Sequence, residues 1–327
     1  MFFALTEDQQ EFGAAVRGYL AERFDLAAVR GVVEDTDGDG NPATLWKAAG
    51  EQGWLAVTVP EEFDGLGLGL VEAQVIARAL GAGVAPGPWR GTVLAAEAIR
   101  LAGTDEQKAT WLPRLAAGAA GGALAADRAL AAVEYGAIAD VVVTPDGLLV
   151  TGASSTPRGS YDGTVRLADL TGGTVEELAA APEIRSRAAV LVAADLVGIA
   201  REALTRTVAY DRERRQFGVP VGSFQSIKHT LADLHCTITM AEHAALYAAH
   251  AVEVGAEDAA LAVAVAKAKA GDAAVASTGA MIQYHGGIGY TWEHEAHLFY
   301  KRAKRLAGQW GDSGTHRARI AELTMGG

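Results

Sequence analysis

Three glycines, Gly286, Gly287 and Gly289, stand within four positions in "QYHGGIGYTWEHE", which runs from Gln283 to Glu295. They interrupt an Ala-rich helical pattern, and two readings fit. The stretch can be a helix end and turn between packed neighbours. Alternatively, bare backbone lets N–H groups reach an anion that a side chain would hold off. Positive charge gathers in "RERRQFG", with Arg212, Arg214 and Arg215, and in "KRAKR", Lys301 to Arg305. Such runs are most often solvated helix faces, but an arginine fork can hold two phosphate oxygens. Two carboxylates are candidates for proton transfer. Asp195 lies within the apolar run "VLVAADLVG", where burial can perturb it or a hydrogen bond can hold it. Asp312 precedes "SGTHR" and fits an N-cap for a last helix.

Other chemistry falls away. His294 and His297 are three apart, whereas a two-His zinc helix needs a spacing of four. His229, His235, Cys236, His243 and His250 lie along one helix without clustered ligand spacing. Neither a Gly-x-Ser-x-Gly elbow nor a phosphate-binding P-loop is present.

The elements that must position these residues are mostly helices. "TEDQQEFGAAVRGYLAERF" opens with Thr6 as N-cap and Gln9 three residues on, a capping-box pattern. Phe12, Val16, Leu20 and Phe24 follow on one face. Helices are expected near 43–53, 69–82 and 90–102. Another opens at Thr104 and stops around Pro113. From about 123 to 183 the pattern changes. "ADVVVTPDGLLVTG" reads as two short strands around a Pro-Asp-Gly turn, and the β unit is expected to hold four to six strands. From about 187 long amphipathic helices return, joined by short loops, as in an up-down bundle. The expected domains are 1–122, helical; 123–186, a reduced β domain; and 187–327, a four-helix bundle.

The 327 residues suffice for two or three units with a sizeable core. The net charge of −12 argues against a nucleic-acid binder. No apolar run is long enough to span a bilayer, and "MFFALTEDQQEF" lacks the pattern of a secretion signal. With one cysteine, Cys236, no internal disulfide can form, and the expected compartment is the cytoplasm.

Four segments, in order, resemble those of the acyl-CoA dehydrogenase family. "VPEEFDGLGLG" (Val59–Gly69) is similar to its Pro-Glu-(Glu/Lys)-x-Gly-Gly-x-Gly loop, with Asp64 in place of a glycine. "GTDEQKATWLPRLAAG" (Gly103–Gly118) is similar to its Gly-(Thr/Ser)-x-x-Gln-Lys-x-x-(Trp/Tyr)-Leu-Pro segment. "YDRERRQFGVPVGSFQ" (Tyr210–Gln225) resembles its Tyr-x-x-x-Arg-x-x-Phe-Gly…Gln stretch. "QYHGGIGYTWEHE" resembles its Gln-x-x-Gly-Gly-x-Gly-(Tyr/Phe)-x-x-Glu segment. Each alone is modest; four in order identify the chain with the family.

The resemblance implies a mainly α fold with an N-terminal helical domain, a small β domain and a C-terminal four-helix bundle. It implies FAD as cofactor and α,β-desaturation of an acyl-CoA thioester. In that reaction a carboxylate takes the α-proton while a hydride leaves the β-carbon for the flavin. Arg214 resembles the pyrophosphate arginine. Phe217 would pack on the cofactor and Gln225 would add a hydrogen bond. Gln283, Gly286 and Gly287 resemble the residues meeting the adenosine-pyrophosphate half. In this family that half-site is supplied to a flavin held by a neighbouring subunit.

Two parts of the family pattern are missing. The Thr-Glu-Pro-x-(Ala/Ser)-Gly-Ser-Asp segment at the start of the β domain is replaced by "GGALAADRALAAVEYG" (Gly121–Gly136), and no tryptophan strand follows. At the turn carrying the family's base, "YKRAKRLAGQWGDSGTHR" places Trp310 and Gly311, with Asp312 the nearest carboxylate. At the alternative position of the base stands Ala188 or Ala189. Losses on one side only resemble the non-catalytic subunit of a heteromeric enzyme, as in actinobacterial steroid side-chain degradation. The expectation is an α2β2 assembly with a catalytic partner subunit that binds most of the acyl-CoA, with FAD shared between the chains. An electron-transfer flavoprotein is the expected acceptor. Three other readings stand beside it: a self-sufficient homotetramer with Asp312 or Asp195 as base, a flavin-free helical scaffold, and a flavin monooxygenase on the same fold.

Overall fold

The computed structural model describes residues 4–181 and 183–326. Met1–Phe3, part of the N-terminal segment read above, lie outside them. By their internal contacts the residues form two compact units, one of Met1–Leu26, Gln74–Ala85 and Ala189–Gly327, the other of Ala27–Ala73 and Pro86–Ala188.

The first unit holds α1 (Glu7–Arg23), much of α4 (Leu70–Ala82), most of α7 (Glu183–Glu213), and the helices α8 (Gln225–Glu253), α9 (Ala259–Tyr284), α10 (Ala296–Gly308) and α11 (Ser313–Met325). The Thr6 capping box forms, with both reciprocal bonds made to Gln9. Helix α9 is the central element and packs against α8, α10 and α11. Alanine makes this close approach possible: Ala266, Ala270, Ala273 and Ala274 are fully buried. Ser277 Oγ donates to Ala200 O on α7 at 2.8 Å, and Arg201 on α7 pairs with Glu242 on α8 at 3.0 Å. Asp195 lies on the buried face of α7. Its two oxygens accept from Arg302 Nε (3.3 Å) and Nη2 (2.8 Å) on α10, and Arg302 Nη1 donates to Ala85 O at 2.8 Å.

The second unit contains α2 (Leu26–Glu34), α3 (Ala43–Glu51), α5 (Trp89–Ala102), α6 (Asp105–Ala116) and strands β1 (Gly122–Leu124), β2 (Val133–Glu134), β3 (Val141–Val143), β4 (Leu148–Thr151), β5 (Ser154–Arg158), β6 (Leu167–Thr171) and β7 (Thr174–Glu177). One sheet runs β1-β3-β4-β7 with β1 and β3 parallel; the other runs β2-β6-β5, antiparallel. The expected hairpin around Pro145-Asp146-Gly147 forms, with Val143 opposite Leu149 and Gly147 left-handed at φ +90.

Two expectations need correction. The β unit has seven strands rather than four to six, because β5 ("SSTPR") and β7 ("TVEE") are exposed along their length and show no apolar alternation. Their partners β6 and β4 make them strands. Both lie at a sheet edge, where Pro157 is tolerated. Helix α6 also does not stop at Pro113 but runs through it to Ala116. Proline removes one helical hydrogen bond, yet Trp111, Leu112, Leu115 and Ala116 are all buried and hold the last turn in place.

Asp64, standing where the family loop has glycine, is left-handed at φ +62. Aspartate tolerates that conformation better than most side chains, so the departure leaves the turn intact.

Candidate functional site

The candidate residues gather where α7 and α9 end. Arg214 follows the last residue of α7, and its N–H donates to Tyr210 O at 2.8 Å. One turn back, the Tyr210 ring stacks on His285 at 4.4 Å between centroids, and Tyr210 Oη donates to His285 O at 3.4 Å. His285 is the C-cap of α9 and directly precedes Gly286. The stack therefore ties the helix end carrying Arg214 to the helix end carrying Gln283, Gly286 and Gly287. The imidazole also lies against His294, centroids 4.4 Å apart, while Nδ1 lies 2.7 Å from Met281 O. Burial holds the His285 pKa below the ordinary imidazole value, which favours the neutral ring in the stack. Tyr210 and His285 stand 75 residues apart in the sequence, and no local pattern pairs them.

After Arg214 the chain forms a tight hairpin, β8 (Arg215–Gln216) and β9 (Val219–Pro220). Its two central residues are both left-handed, Phe217 at φ +54 and Gly218 at φ +82. A bulky side chain in that region costs on the order of 1–2 kcal/mol. Phe217 is nonetheless 92% exposed, with an edge-on contact to Phe224 at 6.3 Å. The positive φ at both positions is what a two-residue hairpin turn requires, and it leaves the ring in solvent. Gln225 opens α8 just beyond and is exposed, as are Arg214 and Gln283.

The three glycines differ in what constrains them. Gly286 is left-handed at φ +64, as the residue after a helix C-cap often is. At Gly289 an added Cβ would meet Ile282 O at 2.5 Å, so close backbone approach demands glycine. Gly287 has neither restraint, being exposed with nothing within 4 Å of an added Cβ. A positive φ accounts for Gly286 and close packing for Gly289; neither applies to Gly287.

The candidate carboxylates lie elsewhere. Asp195 is held by Arg302 inside the bundle. Asp312 caps α11, its Oδ1 accepting from Thr315 N (2.7 Å) and Oγ1 (2.8 Å), and these bonds hold its pKa below the usual carboxylate range. The Trp310–Gly311 turn is fixed by other groups. Lys267, fully buried on α9, donates through Nζ to Ala307 O (3.0 Å) and Gly311 O (2.8 Å), and His316 Nε2 lies 3.0 Å from Trp310 O. Burial pushes the Lys267 ammonium down to about 8, with Asp312 opposing. Ala188 and Ala189, at the alternative position of the base, are buried.

In the β unit, the replaced stretch Gly121–Gly136 forms β1, an irregular turn with Leu130 and Ala132 left-handed, and β2. Within it Arg128 pairs with Asp146 at 2.9 Å and Glu177 at 3.0 Å. Among the described residues no group of three or more His, Cys, Asp or Glu is placed to hold a metal, and no helix is long and apolar enough to cross a membrane.

Comparison with known proteins gives this arrangement a family. Residues 6–119 match the acyl-CoA dehydrogenase N-terminal domain and residues 185–325 the C-terminal domain. The chain is 38% identical over 301 residues to the acyl-CoA dehydrogenase IpdE2 of Mycobacterium tuberculosis, covering 91% of each chain. Among solved structures it is similar to a chain of the Tcur3481-Tcur3483 steroid ACAD G363A variant, with TM-score 0.87, 28% identity and 97% of each chain covered. The fold is also that of the ChsE4-ChsE5 complex from Mycobacterium tuberculosis, at TM-score 0.88 and 24% identity over 99% of each chain. Homologues in the family bind FAD. The exposed groups there, the Arg214 guanidinium, the Gln283 carboxamide and the bare backbone of Gly286 and Gly287, are of the kind that can hold phosphate oxygens. The chain belongs to the acyl-CoA dehydrogenase family of oxidoreductases.

Proposed function

We propose that this chain is the non-catalytic subunit of a heteromeric acyl-CoA dehydrogenase. It lends Arg214, Phe217, Gln225, Gln283 and the backbone of Gly286 and Gly287 to the pyrophosphate-adenosine side of an FAD whose ring a partner subunit holds. The grouping carries this reading: exposed Arg214 and Phe217 at one helix end and exposed Gln283, Gly286 and Gly287 at another, the two ends joined by the Tyr210–His285 stack. FAD supplies the redox chemistry at its ring. This chain binds and orients the far end of the cofactor and stacks Phe217 against it. The α-proton goes to a carboxylate of the partner, since Asp195 is committed to Arg302 and Asp312 to its helix cap. The 28% identity to the steroid acyl-CoA dehydrogenase variant, at matching chain length, supports an α2β2 assembly and a steroid side-chain CoA as substrate. Most of the acyl-CoA is bound by the partner, and an electron-transfer flavoprotein accepts the electrons.

Purified alone, the chain is expected to be colourless and inactive, and to become yellow when co-purified with its partner. A yellow, active homo-oligomer contradicts the proposal and favours Asp312 or Asp195 as base. The glycines give a sharper test. Gly287→Ala should leave thermal stability unchanged or raise it slightly, by up to about 1 kcal/mol, yet weaken FAD binding by the complex roughly tenfold, the loss of one hydrogen bond. Gly289→Ala should instead destabilise the chain itself, because its Cβ meets backbone.

A further inference from the structure

Asp211 lies in the last turn of α7, three residues before Arg214. It is 1% exposed, and neither carboxyl oxygen accepts a hydrogen bond. Among the described residues it is the one buried carboxylate with both oxygens unpartnered. Its surroundings oppose a charge in two further ways. The C-terminal turn of a helix carries the negative end of the backbone dipole. The adjoining recess, about 450 Å³, is largely apolar, with Val208, Pro220 and Leu231 in its wall. The charged groups there are Arg212 from α7 itself and Lys228 from α8. Neither is bonded to Asp211, and Ser223 donates its hydroxyl to Pro220 O at 2.6 Å instead. Burial alone raises the Asp211 pKa, to about 6.

Directly against Asp211 sits Gly222. A Cβ there would lie 3.0 Å from Asp211 O and 3.3 Å from Asp211 Cβ. Gly222 is the middle of the Val221–Ser223 turn that closes the hairpin, and Val221 N–H donates to Arg214 O at 2.8 Å. The hairpin that carries Phe217 is therefore seated on the side of α7 where Asp211 is buried.

We propose that Asp211 is a positioning residue: as a neutral acid it seats the Val221–Ser223 turn and so sets Arg214 and Phe217, and as a carboxylate it loosens that seat. The consequence for flavin rests on the function proposed above; the seat itself does not. A pKa raised in the seated state means that this state binds the proton more tightly than the open one. The seat is therefore tightest below the ordinary carboxylate range. It weakens by up to tenfold per pH unit as the pH rises to about 6, then levels off, with the proton released to water.

Amide hydrogen exchange on the full chain tests this, with rates corrected for their intrinsic pH dependence. Protection of the Val221 amide and its hairpin neighbours is expected to fall at least tenfold between pH 4.5 and pH 7.5. In Asp211→Asn, which mimics the neutral acid, it is expected to stay level. Protection that ignores pH in the unaltered chain, or an Asn variant that follows the same profile, overturns the proposal. Should the Asn variant not fold, direct carbon NMR titration of the Asp211 carboxyl decides: a midpoint near 6 supports the seat, and one in the ordinary range overturns it. A pH-dependent hairpin combined with unchanged flavin content in the complex upholds the seat and counts against the flavin contact.

Discussion

Arg214→Ala is expected to weaken FAD binding by the assembled complex by roughly 10- to 150-fold, the equivalent of about 1.5–3 kcal/mol for a hydrogen bond to a charged group. Little else should change, because the backbone role of Arg214 survives substitution. Its N–H still donates to Tyr210 O and its carbonyl still accepts from Val221. The side chain is exposed, so alanine leaves neither a cavity nor an unpaired buried charge. Flavin content after gel filtration, read beside the thermal midpoint of the chain, separates the two effects. Arg214→Lys should fall between the two, since an ammonium keeps the charge but loses the planar fork. Unchanged flavin content in Arg214→Ala would favour a scaffold role without flavin contact.

The second large effect is on stability. Asp195→Ala leaves Arg302 buried without its carboxylate, and breaking such a pair costs about 3–5 kcal/mol. Both side chains are under a tenth exposed, at 7% for Arg302 and 4% for Asp195. The thermal midpoint is expected to fall by about 4–7 °C. The double replacement Asp195→Leu with Arg302→Met should recover most of the loss, because a buried pair and well-packed apolar residues are often nearly equivalent. Asp195→Asn separates structure from catalysis. If Asp195 were the base, a folded Asn variant of the complex would lose turnover; the account here expects turnover to persist wherever the variant folds.

Much of the fold was legible because it depends on local chemistry. The capping box at Thr6 and the helix start at Thr104 follow from side chains that reach three residues ahead, and both form. The Pro-Asp-Gly hairpin follows from the conformational needs of its turn. Legibility failed where an element is held by distant partners. The polar strands β5 and β7 become strands through the ladders they join. Pro113 stays inside α6 because buried neighbours outweigh one missing bond.

The site divides along the same line. Arg214, Phe217 and the glycines were visible as types at given spacings, and the structure adds which of them the fold needs for itself. The Tyr210–His285 stack joins segments far apart in sequence. Asp211 reads in the sequence as an ordinary acid in a charged run, and only its burial under Gly222 distinguishes it. Lys267 and Lys269 alternate in an Ala-rich helix, one buried and one exposed, and no local signal says which.

The central claim is that this chain completes another subunit's flavin site and builds none of its own. Co-expression with the partner dehydrogenase, followed by flavin-to-protein stoichiometry, tests it most directly. The account predicts one FAD per heterodimer, hence two per α2β2 assembly, and none on the chain alone. One FAD for every chain, or flavin retained by this chain without the partner, would contradict it.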